Sequence, residues 1–207
     1  EGTYVPRSPL NWVKEGGFYG VVDSYDKRAE LKSTAFNEEL RLGREEHREP
    51  SEEPKPLAWF SKKVDNSGGG QVWVTSDRWG PLKGALLHGS YGKSTLYLIL
   101  KEEIEGQMQG GAVKIPVRLN SSNMRMRFND RDGQLYVMWL KGWQTNAGLR
   151  SSLDRVRYTG KPTDFPTGLE VKTDGIDLRC PKTLDPASAT LADDYSLNAS
   201  DLYWSKQ

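Results

Sequence analysis

Met124-Arg125-Met126-Arg127-Phe128 runs into Asn129-Asp130-Arg131-Asp132-Gly133 and then Gln134-Leu135-Tyr136-Val137-Met138-Trp139. The first five residues alternate, which puts both arginines on one face of a strand and the methionines with Phe128 on the other. An Asn/Asp/Gly run follows, the composition of a tight turn. A β-branched and aromatic run then supplies the returning strand. Outward from this unit the same grammar repeats. Leu57-Ala58-Trp59-Phe60 precedes the turn residues Asp65-Asn66-Ser67-Gly68-Gly69-Gly70, and Gln71-Val72-Trp73-Val74 follows. Gly84 to Ser90 leads to Ser94-Thr95-Leu96-Tyr97-Leu98-Ile99-Leu100, and Gly110 to Val117 reads as a further strand in which Pro116 fits an edge or a strand end. Leu153 to Tyr158 closes the series. Short strands joined by Gly/Asp turns predict an all-β repeat architecture.

Composition agrees. The 207 residues include Gly 21, Trp 7 and Tyr 9 at only 36% hydrophobic content, which suits short strands better than a helical bundle. Lys+Arg 29 against Asp+Glu 28 gives a net charge of +1, so no broad cationic surface for nucleic acid is implied. A single cysteine, Cys180, excludes an internal disulfide, a cysteine-cage metal site and a Cys-x-x-Cys-His haem attachment within these residues. No apolar run approaches the ~20 residues of a membrane helix. Gly68-Gly69-Gly70 precedes a strand rather than a helix, so it reads as a turn and not a phosphate cradle.

Three regions depart from the strand series. Residues 24–56 are charged, carry His47, and end in Glu49-Pro50-Ser51-Glu52-Glu53-Pro54-Lys55-Pro56, where proline stops any helix. This block reads as a surface insertion. Residues 161–167, with Pro162 and Pro166, read as a linker. Residues 168–207 then begin a β-sandwich module with a hairpin, a turn over Leu184 to Ala187 and a strand over Asp193 to Leu197. Only about forty residues follow the linker, against the ~100 of an immunoglobulin-type sandwich.

Asn11-Trp12-Val13-Lys14-Glu15-Gly16-Gly17-Phe18-Tyr19-Gly20 resembles the Asn-x-x-x-x-Gly-Gly-x-Tyr-Gly segment of soluble quinoprotein glucose and sorbosone dehydrogenases. Gly84 to Tyr91, with His88-Gly89-Ser90, and the Arg-x-Arg phrase ahead of Asp132-Gly133-Gln134-Leu135-Tyr136-Val137 resemble two further segments of that family, in the same order. Gly80-Pro81-Leu82, Tyr91-Gly92-Lys93-Ser94 and Gly142-Trp143-Gln144-Thr145-Asn146-Ala147 are similar to phrases of secreted membrane-bound-dehydrogenase-like proteins of planctomycetes and verrucomicrobia, which also carry c-type haem domains. The resemblance implies that residues 1–160 are the C-terminal half of a six-bladed β-propeller. It further implies a periplasmic or extracellular setting, pyrroloquinoline quinone (PQQ) with calcium, a cytochrome c partner and a carbohydrate substrate.

PQQ is a planar tricarboxylate, so its site needs cations for the carboxylates and an aromatic face. On this resemblance His88 and Arg125 are the catalytic candidates. Lys93, Arg125, Arg127, Trp143, Gln144 and Asn146 are the cofactor and sugar-binding candidates. Each has a plainer reading: His88 as a hydrogen-bonded core histidine, the arginines as surface charges on a strand, Lys93 as a turn lysine, Trp143 as packing. The stretch Glu1 to Pro9 lacks the acidic cluster that, with backbone oxygens, binds the family's calcium, and carries Arg7 instead, so no metal ligand is assigned. Two functions remain open: a propeller that oxidises a sugar hydroxyl and passes electrons to a cytochrome, and a non-catalytic binding or assembly module of a multidomain protein.

Overall fold

The computed structural model describes residues 7–17, 19, 55–142 and 145–191. Among them the chain is all-β, in four antiparallel sheets. Strand β1 (Arg7–Leu10) pairs with β2 (Ala58–Ser61). A four-stranded meander follows in chain order: β3 (Gly68–Trp73), β4 (Leu86–Ser90), β5 (Thr95–Ile104) and β6 (Gln107–Ile115). A three-stranded meander then holds β7 (Arg125–Phe128), β8 (Leu135–Leu140) and β9 (Ser151–Val156). The fourth sheet is the hairpin of β10 (Gly168–Val171) and β11 (Ile176–Arg179). Outside the strands lie a 3-10 turn at Asp77–Leu82 and a one-turn helix, α1 (Pro186–Ala189).

The middle sheet is buried on both faces, and its alternation shows how. On β5, Leu96, Leu98 and Leu100 enter one core with Leu87, Met126, Leu135, Val137 and Trp79. Tyr97 and Ile99 point the other way, into a second core with Leu10, Leu57, Phe60 and Leu86. The first core therefore lies between the middle sheet and β7–β9, the second between the middle sheet and β1–β2. Burial of each such leucine contributes ~1.5–3 kcal/mol, so these two seams dominate the cohesion of the stack.

Several sequence expectations meet their structural form here. The strand-turn-strand unit at 124–139 forms as read, and its turn is fixed by Asn129 accepting from the Gly133 N–H at 2.7 Å and by Asp132 Oδ1 accepting from the Gln134 N–H at 2.9 Å. β6 stops at Ile115, one residue before Pro116. By contrast, Gly68-Gly69-Gly70 is the start of β3 rather than a turn, because a close backbone approach at Gly69 demands residues without Cβ in the ladder itself. Residues 161–167 do not stand free: Phe165 and Leu169 pack on the first core, and the Val171 N–H donates to Glu102 Oε1 at 2.9 Å. That docks the β10–β11 hairpin against β5. Of the expected sandwich module this hairpin and α1 are described, α1 forming where a turn was expected. The strand over 193–197, most of the insertion 24–56 and His47 lie outside the described residues. Closure into a propeller is not seen among the described residues.

The β5–β6 hairpin is closed by Glu105 (φ 50) and Gly106 (φ 78), a two-residue turn with both residues left-handed. Glutamate is poorly suited to that conformation, whereas asparagine tolerates it. Glu105→Asn is expected to stabilise the chain by about 0.5 kcal/mol, read as a rise in the urea midpoint at unchanged slope. A lower midpoint would refute the assignment of turn strain.

Candidate functional site

Three loops gather at the end of the sheets where β3 and β7 begin. They are the β2–β3 connection (62–67), the β4–β5 turn (91–94) and the loop formed by the paired stretches 120–124 and 145–150. Alternation on β4 places His88 and Ser90 on the same face as Leu86. Asp65, from the β2–β3 connection, reaches both of them. His88 Nε2 lies 2.7 Å from Asp65 Oδ2, and Ser90 Oγ donates to Asp65 Oδ1 at 2.6 Å. The Ser67 N–H adds a second bond to Oδ1 at 3.0 Å, and the Lys93 N–H donates to Ser90 Oγ at 3.0 Å. On the other side of the ring Gln71 Nε2 donates to His88 Nδ1 at 2.9 Å, which leaves the Nε2 hydrogen facing the carboxylate. Phe60 covers the imidazole, centroid to centroid 5.1 Å.

This cluster is dry. Asp65, His88 and Ser90 are 1%, 3% and 0% exposed. Burial pushes the Asp65 carboxyl upward, but the hydrogen bonds from His88 and Ser90, the adjacent imidazole and the Ser67 N–H outweigh it and hold the group below its ordinary value. Burial and the nearby Asp65 charge raise the Tyr97 phenol, whose hydroxyl donates to the Val64 carbonyl. A carboxylate–imidazole–hydroxyl arrangement can serve nucleophilic catalysis when the imidazole has a nitrogen open to substrate. Here both nitrogens are engaged and the ring is covered. In this geometry His88 pins the β2–β3 connection onto β4.

Of the remaining candidates that are described, Lys93, Arg125 and Asn146 sit at the same end and Arg127 does not. Thr145 Oγ1 donates to the Tyr91 carbonyl at 3.0 Å, contacts Ser94 Oγ at 3.3 Å and bonds Ser122 Oγ. The Asn146 N–H donates to the Gly92 carbonyl at 3.0 Å. These bonds sew Thr145 and Asn146 to the 91–94 turn and bring Asn146 beside Lys93. Arg125, at the first position of β7, is exposed and donates to the Met124 carbonyl at 3.0 Å. Arg127 shares its face but lies two residues further along, toward the opposite end. Trp143 and Gln144 lie outside the described residues.

Asp65, Ser90 and Thr145 were not singled out from sequence. The His-x-Ser spacing carried a signal for Ser90, since it places both side chains on one strand face. Asp65 stands 23 residues before His88, and Thr145 bridges segments 51 and 54 residues away, separations that no local pattern encodes.

As a quinone site the described residues fit in part. Lys93 and Arg125 supply two cations and Asn146 an amide at one end of the sheets. Among the described residues no imidazole nitrogen is free, and no three His, Cys, Asp or Glu side chains cluster as metal ligands would. Also among them, no helix is long and apolar enough to cross a membrane. Comparison of the chain with protein-family models, curated proteins and solved structures finds no match.

Proposed function

We propose that this chain is part of a β-propeller acting as a non-catalytic binding and assembly module of a larger multidomain protein. Three sheets stacked face to face in chain order, the middle one buried on both sides, are what successive blades would form. The observation that carries the assembly role is the outer face of β7–β9. Its cross-strand register aligns Arg125 with Met138, Met138 with Leu153, Arg127 with Tyr136 and Tyr136 with Arg155. Met138 and Leu153 are 58% and 68% exposed. An aliphatic pair flanked by three arginines fits a sheet face that offers aliphatic side chains and carboxylates. The described acid that reaches this face, Asp132, is engaged by the Tyr136 hydroxyl at 2.8 Å.

A photo-crosslinking residue in place of Leu153, in the protein assembled in its own cells, tests this. The expected crosslink maps to a strand bearing Asp or Glu, and complex formation weakens as salt is raised. A crosslink to a segment without acids, or no crosslink, rejects the reading.

The enzymatic alternative is favoured by the convergence of Lys93, Arg125 and Asn146 on one end. It would make this chain part of a periplasmic or extracellular sugar dehydrogenase, with PQQ and calcium at that end and a cytochrome c as acceptor. On the assembly reading, protein supplied with PQQ, calcium and an aldose does not reduce an artificial acceptor. Turnover that disappears in Lys93→Ala and Arg125→Ala would replace assembly with catalysis.

A further inference from the structure

The β10–β11 hairpin carries an apolar and a charged face. Its register sets Leu169 against Leu178 and Val171 against Ile176, so these four side chains share one face. Glu170 opposite Asp177, and Gly168 opposite Arg179, make up the other. Leu169 packs on the first core. Beyond it the apolar face is open, with Val171, Ile176 and Leu178 at 37%, 53% and 51% exposed. Among the described residues no strand other than β10 pairs with β11, so its far edge is unpaired.

The turn fixes which backbone groups that edge presents. The Lys172 N–H donates to the Gly175 carbonyl at 2.8 Å, which makes 172–175 a hydrogen-bonded pair. Alternation then makes 170–177 and 168–179 hydrogen-bonded pairs as well. Asp177 and Arg179 therefore direct their backbone groups to β10. Ile176 and Leu178 turn theirs outward, where a further strand can take them up.

We infer that β11 is the contact of a symmetric dimer, pairing antiparallel with β11 of a second copy. One register satisfies faces, hydrogen bonds and charges together. It sets Leu178 opposite its own copy on the twofold axis, where the two leucines exchange both backbone bonds. Asp177 then stands opposite Arg179 on each side of the axis. These are non-hydrogen-bonded positions, where facing side chains approach closest. A slip of one residue in either direction sets a charged side chain opposite Leu178 and mixes the faces. A slip of two sets Asp177, or Arg179, opposite its own copy. Within the chain Asp177 is only loosely answered, since Lys172 is bonded to Glu170 and stands 3.9 Å from Asp177 Oδ2. The contact is separate from the arginine-flanked face of β7–β9 and does not depend on the assembly reading.

The test is a dilution series of the full chain followed by amide chemical shifts, with reductant present so that no Cys180 disulfide contributes. A four-residue edge buries far less than the ~1,200 Å² of a stable interface, so a dissociation constant on the order of 0.5 mM is expected. The Ile176 and Leu178 amides should move more than those of Asp177 and Arg179, which already bond to β10. Asp177→Arg alone, and Arg179→Asp alone, should each weaken self-association by at least about tenfold, because like charges then face each other. An equimolar mixture of the two variants, and the double variant by itself, should recover it. Shifts independent of concentration, shifts strongest at Asp177 and Arg179, single variants that associate as wild type does, or a double variant that stays monomeric would overturn the inference.

Discussion

Asp65→Ala is expected to cost ~3–5 kcal/mol, enough to consume a large share of a domain's total stability. The side chain is buried and accepts from Ser90 Oγ, the Ser67 N–H and the His88 ring. Its removal strands a buried imidazole N–H and a buried hydroxyl and frees the connection that carries the chain from β2 into β3. Asp65→Asn preserves the volume but sets an amide donor against donors, and should fall between alanine and wild type. Ser90→Ala removes one bond to the charged oxygen and should cost ~1.5–3 kcal/mol. Chemical denaturation of the set measures all three. An Asp65→Ala loss below that of Ser90→Ala would show that the carboxylate is not the centre of the cluster.

The same residue sets a pH dependence whose sign is fixed. The folded Asp65 carboxyl is held below its ordinary value, so below about pH 4, the usual aspartate range, the unfolded chain takes up the proton first. Its stabilising contribution is therefore complete above the unfolded pKa and is lost as pH falls through the lower folded value. The acid limb of stability against pH should be shallower in Asp65→Asn than in wild type.

Legibility in the sequence followed distance along the chain. The alternation at 124–128 put Arg125 and Arg127 on one face and Met126 with Phe128 on the other, as the structure has them, whereas Met124 lies before β7 and is 41% exposed. Strands β2 and β4 and the β10–β11 hairpin likewise lay where they were expected, while β5 runs on to Ile104 and β6 begins at Gln107, beyond the expected 94–100 and 110–117. The β5–β6 turn was obscured because Glu105, not asparagine, occupies its first left-handed position. His88 could be read as either a base or a core residue. The choice depended on Asp65 and Gln71, which approach from two other segments.

The three glycines read as a turn lead to the second large effect. β3 and β4 begin and end against the buried segment Ser121-Ser122-Asn123, all at most 1% exposed. A Cβ on Gly69 would strike the backbone carbonyls of Asn123 and Gly89, whereas one on Gly89 would strike the Asn123 side chain. Both Gly69→Ala and Gly89→Ala should destabilise by about 3 kcal/mol, the upper part of the usual range for overpacking. The obstacles differ, and so does the remedy. Asn123 Oδ1 has no partner and its Nδ2 makes only a 3.7 Å bond to Met126 Sδ, so Asn123→Ala alone forfeits little hydrogen bonding. Introduced into Gly89→Ala, it clears the space the new methyl needs and should restore most of the loss. Introduced into Gly69→Ala, it leaves the clashing carbonyl in place and should restore none. The interaction energies of the two double-mutant cycles separate these outcomes. Equal rescue of both variants would mean that the segment yields as a whole, and that the seam between β3 and β7 is not the rigid contact that holds the two sheets in register.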